Sequence, residues 1–319
     1  MGAIRHTVAR LTPLVAVSDT DTAWEILERL AAQDGDDAVL AAAVTTACFR
    51  MNDRQRGASI LTTVMGRATP SRETAASACA TAAGLLWVHH TTPEAGTALT
   101  SMITRWLDDS TWADCLHQLR VSGALTHDNE TVRERALTLM QHLTEPALDK
   151  TRHGLAQGQT STDAEREQLK NTVRLLDNVA SQIYFASGGD PNSTPPTEPE
   201  VRLVDEAEPL IKLLSATPVA GIAHHLVEMS ARMIDQRPQQ TLLTVRDVVT
   251  QVGAQSGYTA DTLGVGACVT FVERILADHR SLLRNPDNLT ALRQICDAFI
   301  DAGWPQAHKL VFGIEQIFR

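Results

Sequence analysis

The chain has 319 residues, 43% of them hydrophobic and 21% charged, with a formal charge of -10 and a pI near 5.5. This composition excludes a largely disordered chain and suffices for a core in one or two domains, while the acidity opposes whole-surface attraction to nucleic acid or anionic membrane. No run approaches the roughly 18 apolar residues that cross a bilayer, and the N-terminus lacks the apolar region of a secretory signal. His6 stands where a myristoylation motif needs Ser or Thr. A soluble, cytoplasmic protein without a membrane partner is therefore expected.

Taken in chain order, the elements read as helices. The run Asp36-Asp37-Ala38-Val39-Leu40-Ala41-Ala42-Ala43 opens one of them. It is followed by a cluster of cations, Arg50, Arg54, Arg56, Arg67 and Arg72, interrupted by Asp53. Guanidinium groups so placed on a helix pair and its turn can converge on phosphates or an acidic partner, or serve as a solvated rim. Next come apolar stripes at the i, i+3, i+4, i+7 spacing of one buried helix face. Cys79, Ala82, Ala83 and Leu86 form one, and Leu99, Met102, Ile103 and Trp106 another. Trp112, Cys115, Leu116 and Leu119 follow, then Val132, Ala136, Leu139, Met140 and Leu143. His89-His90 closes a helix, where imidazolium would favour the negative end of the dipole. Thr162-Asp163-Ala164-Glu165 reads as a capping box opening a long helix with the seam Leu169, Val173, Leu176, Ala180 and Ile183, which stops near Gly188-Gly189.

Residues 188–199, rich in Pro, Gly and small polar side chains, read as a linker between an earlier block, 1–187, and a later one, 200–319. Helix starts are expected near Pro93, Pro218, Pro238, Thr259, Pro286 and Pro305. Alternate starts in the later block are spaced 259 - 218 = 41 and 286 - 238 = 48 residues, close to a two-helix unit of roughly 40 to 47. No segment alternates with period two. The five cysteines, Cys48, Cys79, Cys115, Cys268 and Cys296, never form a C-x-x-C pair and fall on apolar stripes, as buried thiols of a reducing compartment do.

The string Asp128-Asn129-Glu130-Thr131-Val132-Arg133-Glu134-Arg135-Ala136-Leu137 resembles the turn and second helix of a HEAT repeat, and Asp36–Ala43 a degenerate copy with Leu40 at the motif's Arg. Asp297–Gly303 with Ala307 has the small-residue rhythm of tetratricopeptide repeats, without their 34-residue period. The final hundred residues are similar in texture to the helical C-terminal arms of large bacterial ATPase-type proteins. The HEAT resemblance implies an all-α, right-handed α-solenoid of stacked antiparallel helix pairs, in one or two blocks. It also implies a non-catalytic scaffold whose partner is another protein or another domain of the same assembly. The apolar C-terminal stripe Leu310, Val311, Ile314, Ile317 and Phe318 adds a second expectation, that the chain is the C-terminal helical region of a larger multidomain protein.

Two other functions follow from particular residues. A nucleic-acid-binding protein of HEAT-like form would use the Arg cluster, although aromatic side chains for base stacking are scarce there. A metal-dependent hydrolase would use His224 with Glu228, which share a helix face one turn apart. That helix buries Ile222, Leu226, Met229 and Met233, leaving His224, Glu228 and Asp235 as a solvated polar side on which Glu228 can pair with Arg232. Neither H-E-x-x-H nor G-x-S-x-G occurs. Gly264-Val265-Gly266 lacks the G-K-[ST] of a phosphate loop and suits a close helix contact, so no cofactor is expected.

Overall fold

Every regular element among the described residues is helical. The computed structural model describes residues 2–67, 72–157, 162–189, 195–305, 307, 308 and 310, and the chain divides into two units, 1–175 and 176–319. Among the described residues no helix is long and apolar enough to cross a membrane.

The first unit begins with α1 (Gly2–Ala16), α2 (Thr20–Gln33), α3 (Asp37–Phe49), α4 (Arg54–Arg67), α5 (Glu73–His90), α6 (Pro93–Arg105) and α7 (Asp109–Val121). A 3-10 turn (Ala124–Thr126), α8 (Glu130–Gln157) and α9 (Asp163–Ala186) follow, and the unit boundary falls inside α9. Several starts are set by an aspartate accepting from an orphan N–H of the first turn. Asp19 accepts from Thr22 N at 3.0 Å, Asp36 from Ala38 N at 3.1 Å and Asp108 from Thr111 N at 2.9 Å. Pro93 occupies the first turn of α6, where its missing N–H costs nothing.

Successive helices pair, α1 with α2, α3 with α4 and α5 with α6, and α1, α3, α5 and α7 also pack on one another in order. A second succession runs α2, α4, α6, and the odd-numbered row packs more extensively than the even one. Composition explains this. Helices α3 and α5 are rich in Ala, Ser and Thr, so neighbouring backbones approach closely; a Cβ on Gly84 of α5 would stand 2.5 Å from Cys115 Sγ of α7. The start of α5 is also fastened to α3, because Asp37 accepts from Thr74 N at 3.0 Å and Ala75 N at 3.1 Å. Trp24 and Trp112 are fully buried, and Trp112 Nε1 donates to the Trp106 carbonyl at 2.7 Å. Arg133, in the HEAT-like string, is buried and donates to the carbonyls of His127 and Asp128 at 2.7 and 3.1 Å.

In the second unit the end of α9 is followed by α10 (Glu198–Glu206), α11 (Glu208–Ser215), α12 (Ala220–Met233) and α13 (Pro238–Val248). Then come a π-helical turn (Val249–Gly253), α14 (Ala254–Ser256), a 3-10 turn (Tyr258–Ala260), α15 (Thr262–Asp278), a second 3-10 turn (Arg280–Arg284) and α16 (Pro286–Asp301). Helix α12 packs against α11, α13 and α15, and α13 against α16. Pro238 and Pro286 open their helices as expected. Pro218 stands two residues ahead of α12, and Thr259 lies in a 3-10 turn. Residues 190–194 of the expected linker, and Val311, Ile314, Ile317 and Phe318 of the apolar C-terminal stripe, lie outside the described residues.

Candidate functional site

In the first unit a groove of about 730 Å³ crosses α3, α5 and α7, within the size of ligand sites. Residues about one turn apart line it. Ala41, Thr45 and Phe49 come from α3, Thr74, Ala78, Thr81 and Leu85 from α5, and Ser110, Asp114 and Gln118 from α7. Phe49 is 43% exposed there. Glu73 and Asp114 are its charged lining and no Lys, Arg or His joins them. Ser77 Oγ donates to Asp114 at 2.8 Å, and the buried Thr81 Oγ1 has no hydrogen-bond partner among the described residues. Sequence reading missed this groove. Its signal was the helix α5, which is apolar or small on nearly every side, a pattern of helices covered all round.

The five arginines are only partly brought together. Arg50, Arg54 and Arg56 line a cleft of about 900 Å³ with Asp21, Asp53 and Trp24. Arg56 is engaged by Asp21 at 3.2 Å and Glu28 at 2.8 Å, and its guanidinium lies 5.1 Å from the centre of the Trp24 ring. Asp53 caps α4 by accepting from Gln55 N and Arg56 N. Arg67 donates to the carbonyls of Ala31 and Asp34 at the end of α2, and Arg72 stands at the N-cap of α5. Of the five guanidinium groups, Arg56 is thus engaged by carboxylates and Arg67 by carbonyls.

In the second unit His224 and Glu228 do share a face of α12, but that face is half buried rather than solvated. The turn carrying Tyr258 and helix α15 pack over it. His224 lies 6.3 Å, ring to ring, from Tyr258, whose hydroxyl is driven up by burial and by the neighbouring Cys268 and Glu228. His225 stacks on Tyr184 at 5.2 Å and stands 4.0 Å from Asp177. Burial holds the His225 pKa low against the opposite pull of Asp177, with His224 adding to the lowering. Neither His224 Nδ1 nor His225 Nδ1 finds a hydrogen-bond partner among the described residues. Asp235 is turned elsewhere, 3.0 Å from both Arg274 and His279. Arg232 reaches Glu200 at 3.0 Å. Among the described residues no three His, Cys, Asp or Glu side chains form a metal-ligand set.

A further cavity of about 830 Å³ lies among α10–α13. Its floor includes Ile211, Met229 and Met233, and its rim carries the ion pairs Arg237–Asp205 and Arg246–Asp247 at 2.5 and 2.6 Å. These two pairs offset part of the rim's charge, and Glu208 and Lys212 also line it. The buried Gln236 Oε1 beside it has no donor among the described residues.

No family model matches this chain. No curated protein matches it either. A solved structure reported under "Computational Design of Self-Assembling Cyclic Protein Homooligomers" aligns with 96% of this chain and 98% of that one, at 11% identity and a TM-score of 0.23. Likeness at that level carries no argument about fold or function.

Proposed function

We propose that this chain is a non-catalytic protein-interaction module of the cytoplasm, a HEAT-like right-handed solenoid of stacked antiparallel helix pairs, which holds a segment of another protein along the α3–α5–α7 groove. The ordered packing of α1, α3, α5 and α7, beside the looser succession α2, α4, α6, supports this reading. In a curved stack the more closely packed row lines the concave side, and concave rows are the binding surfaces of such folds. Five free thiols suit a reducing compartment.

The observation that carries the proposal is the lining of the groove. Small side chains let a partner backbone approach, Phe49 and Leu85 offer apolar contact, and Glu73 and Asp114 present negative charge without a cation. A partner segment bearing Lys or Arg beside an apolar anchor complements it. The test places a photo-cross-linking residue at Thr45 or Ser110 in the groove, and at Thr63 or Thr100 on α4 and α6 as controls. One protein captured from the groove positions alone, and lost with Glu73→Lys and Asp114→Asn, is expected. Equal capture from both sets, or capture of nucleic acid, overturns the proposal.

A further inference from the structure

The α3–α5–α7 groove is graded along its length. Two sets of hydrogen bonds give the register of its walls. Asp37 of α3 accepts from Thr74 N and Ala75 N of α5, 37 and 38 residues on, and Ser77 of α5 donates to Asp114 of α7, again 37 residues on. Residues separated by that offset therefore stand level where the helices run side by side. Asp114 is level with Ser77, Gln118 is level with Thr81 and near the level of Thr45, and Phe49 is near the level of Leu85. The lining thus changes from carboxylate to hydroxyl and amide and then to apolar, with about 5.4 Å, one helical turn, at each step. Ser110 and Gln118 stand one turn to either side of Asp114, and no Lys, Arg or His lines the groove. Arg72 adjoins Glu73 in sequence, so Asp114 is the stronger cation anchor of the two carboxylates.

The middle level says which conformation fits. Thr81 Oγ1 is buried there without a hydrogen-bond partner among the described residues. Exchange between the two χ1 positions open to a helical Thr turns this oxygen to the groove. Thr45 and Gln118 flank it with a hydroxyl and an amide. A helical occupant has closed its backbone N–H and C=O groups on itself and would cover this level without satisfying it. An extended occupant brings free backbone groups to it. The two ends give the spacing. From Asp114 to the level of Phe49 and Leu85 is two turns, about 11 Å. In an extended chain alternate side chains share a face, and a separation of four residues, about 13 Å, matches that span better than two, about 7 Å.

We propose that the segment held in this groove is extended, with a cationic side chain at Asp114 and a large apolar one between Phe49 and Leu85 four residues away. A backbone amide between them bonds to Thr81, which makes Thr81 a specificity-determining residue. This rests on the proposed role of the groove as a partner site, and adds the partner's conformation and spacing.

The test measures fluorescence anisotropy of synthetic peptides on the full chain. Lys and Leu are placed four residues apart in an extended Ser/Thr background, in both chain directions, then two apart in the same background, and about seven apart, two turns, in an Ala-rich helix. One of the four-apart peptides is expected to bind about tenfold or more tightly than the two-apart and helical peptides. Thr81→Val keeps the side chain's shape and removes an oxygen that has no partner in the free protein, so the thermal melt should not fall. The same variant should weaken the four-apart peptide about fivefold, as should N-methylation of the peptide's central amide. Equal affinity at the two spacings, absence of binding, or indifference to Thr81→Val overturns the proposal. Tighter binding of the helical peptide that is lost with Asp114→Asn overturns the extended conformation and leaves the groove as a site for a cationic partner. Failure of cross-linkers at Thr45 and Ser110 to capture any protein removes the site itself.

Discussion

Arg232 on α12 lies 3.0 Å from the carboxylate of Glu200 on α10 and donates through Nε to the Ser187 carbonyl at 2.8 Å. Its side chain is 3% exposed, so the charge is taken out of water and needs every partner it has. The same carboxylate accepts from Thr197 N at 2.8 Å, closing the capping box of α10. Arg232→Ala leaves a half-buried carboxylate and a carbonyl without their cation, and should lower unfolding free energy by about 3–5 kcal/mol. Gly188 belongs to the same arrangement. It has φ +102°, and a Cβ there would stand 2.4 Å from the guanidinium. Gly188→Ala should cost about 2 kcal/mol. Urea titrations of both variants give these values, and a change below the error of the midpoint counts against the arrangement.

The indole of Trp112 supports a second prediction. It is fully buried and gives its only N–H to Trp106 O at 2.7 Å. Trp112→Phe keeps a ring but loses volume and strands a buried carbonyl, and should cost about 2 kcal/mol. Trp112→Ala should cost about 3–5 kcal/mol. If chemical denaturation ranks the two variants equally, the hydrogen bond and the residual ring packing contribute nothing.

Acid should weaken the fold through its histidines. His89 is held below the ordinary value of 6.5 by burial first and then by His127 and His90, and His90 by burial and then Arg54. His225 is lowered in the same sense, again mainly by burial. Between 6.5 and these lowered values the unfolded chain binds more protons than the folded one. Stability is therefore complete above pH 6.5 and falls as the pH drops below it. Urea midpoints measured across this window should decline with acid, and His89→Gln should make the decline shallower. An unchanged slope in that variant would remove His89 from the account.

Thiol reactivity reports burial independently. Burial drives the thiols of Cys48, Cys115 and Cys296 up to about 12, and those of Cys79 and Cys268 higher still. Thiolate is the reactive form. Ellman's reagent should react with none of the five quickly at pH 8 in the native protein, and with all five once urea unfolds it. A rapid native phase of one equivalent would identify a thiol that opens to solvent.

Helical character and much of the core were legible because they depend on local spacing. The stripe Cys79, Ala82, Ala83 and Leu86 is buried as its periodicity implies, as are Trp112, Cys115, Leu116 and Leu119. The capping box at Thr162 forms, with Thr162 N donating to Glu165 at 2.7 Å, and the helix ends before two glycines of positive φ. Further apart, sequence is a poorer guide. Nothing local assigns Arg67 to the end of α2, or Arg232 to Glu200 thirty-two residues away. The face of α12 bearing His224 looks polar by period, yet Tyr258 covers it from a turn whose place depends on the π-helical segment before it. The α3–α5–α7 groove escaped notice for a related reason. Its lining residues come from three helices and form no motif in any one of them, and only the packing of α3, α5 and α7 side by side makes them a surface.

That alignment rests on little side-chain relief. Ala-rich helices meet along smooth flanks, which resist separation far better than they resist sliding lengthwise past one another. The carboxylate of Asp37, bonded to two amides at the first turn of α5, works as an indexing pin: it fixes how far α5 is advanced along α3. The α3–α5 half of the groove is consequently machined to its dimensions by one anchored end, and a chain with Ala at that position would keep its helices while losing their common zero.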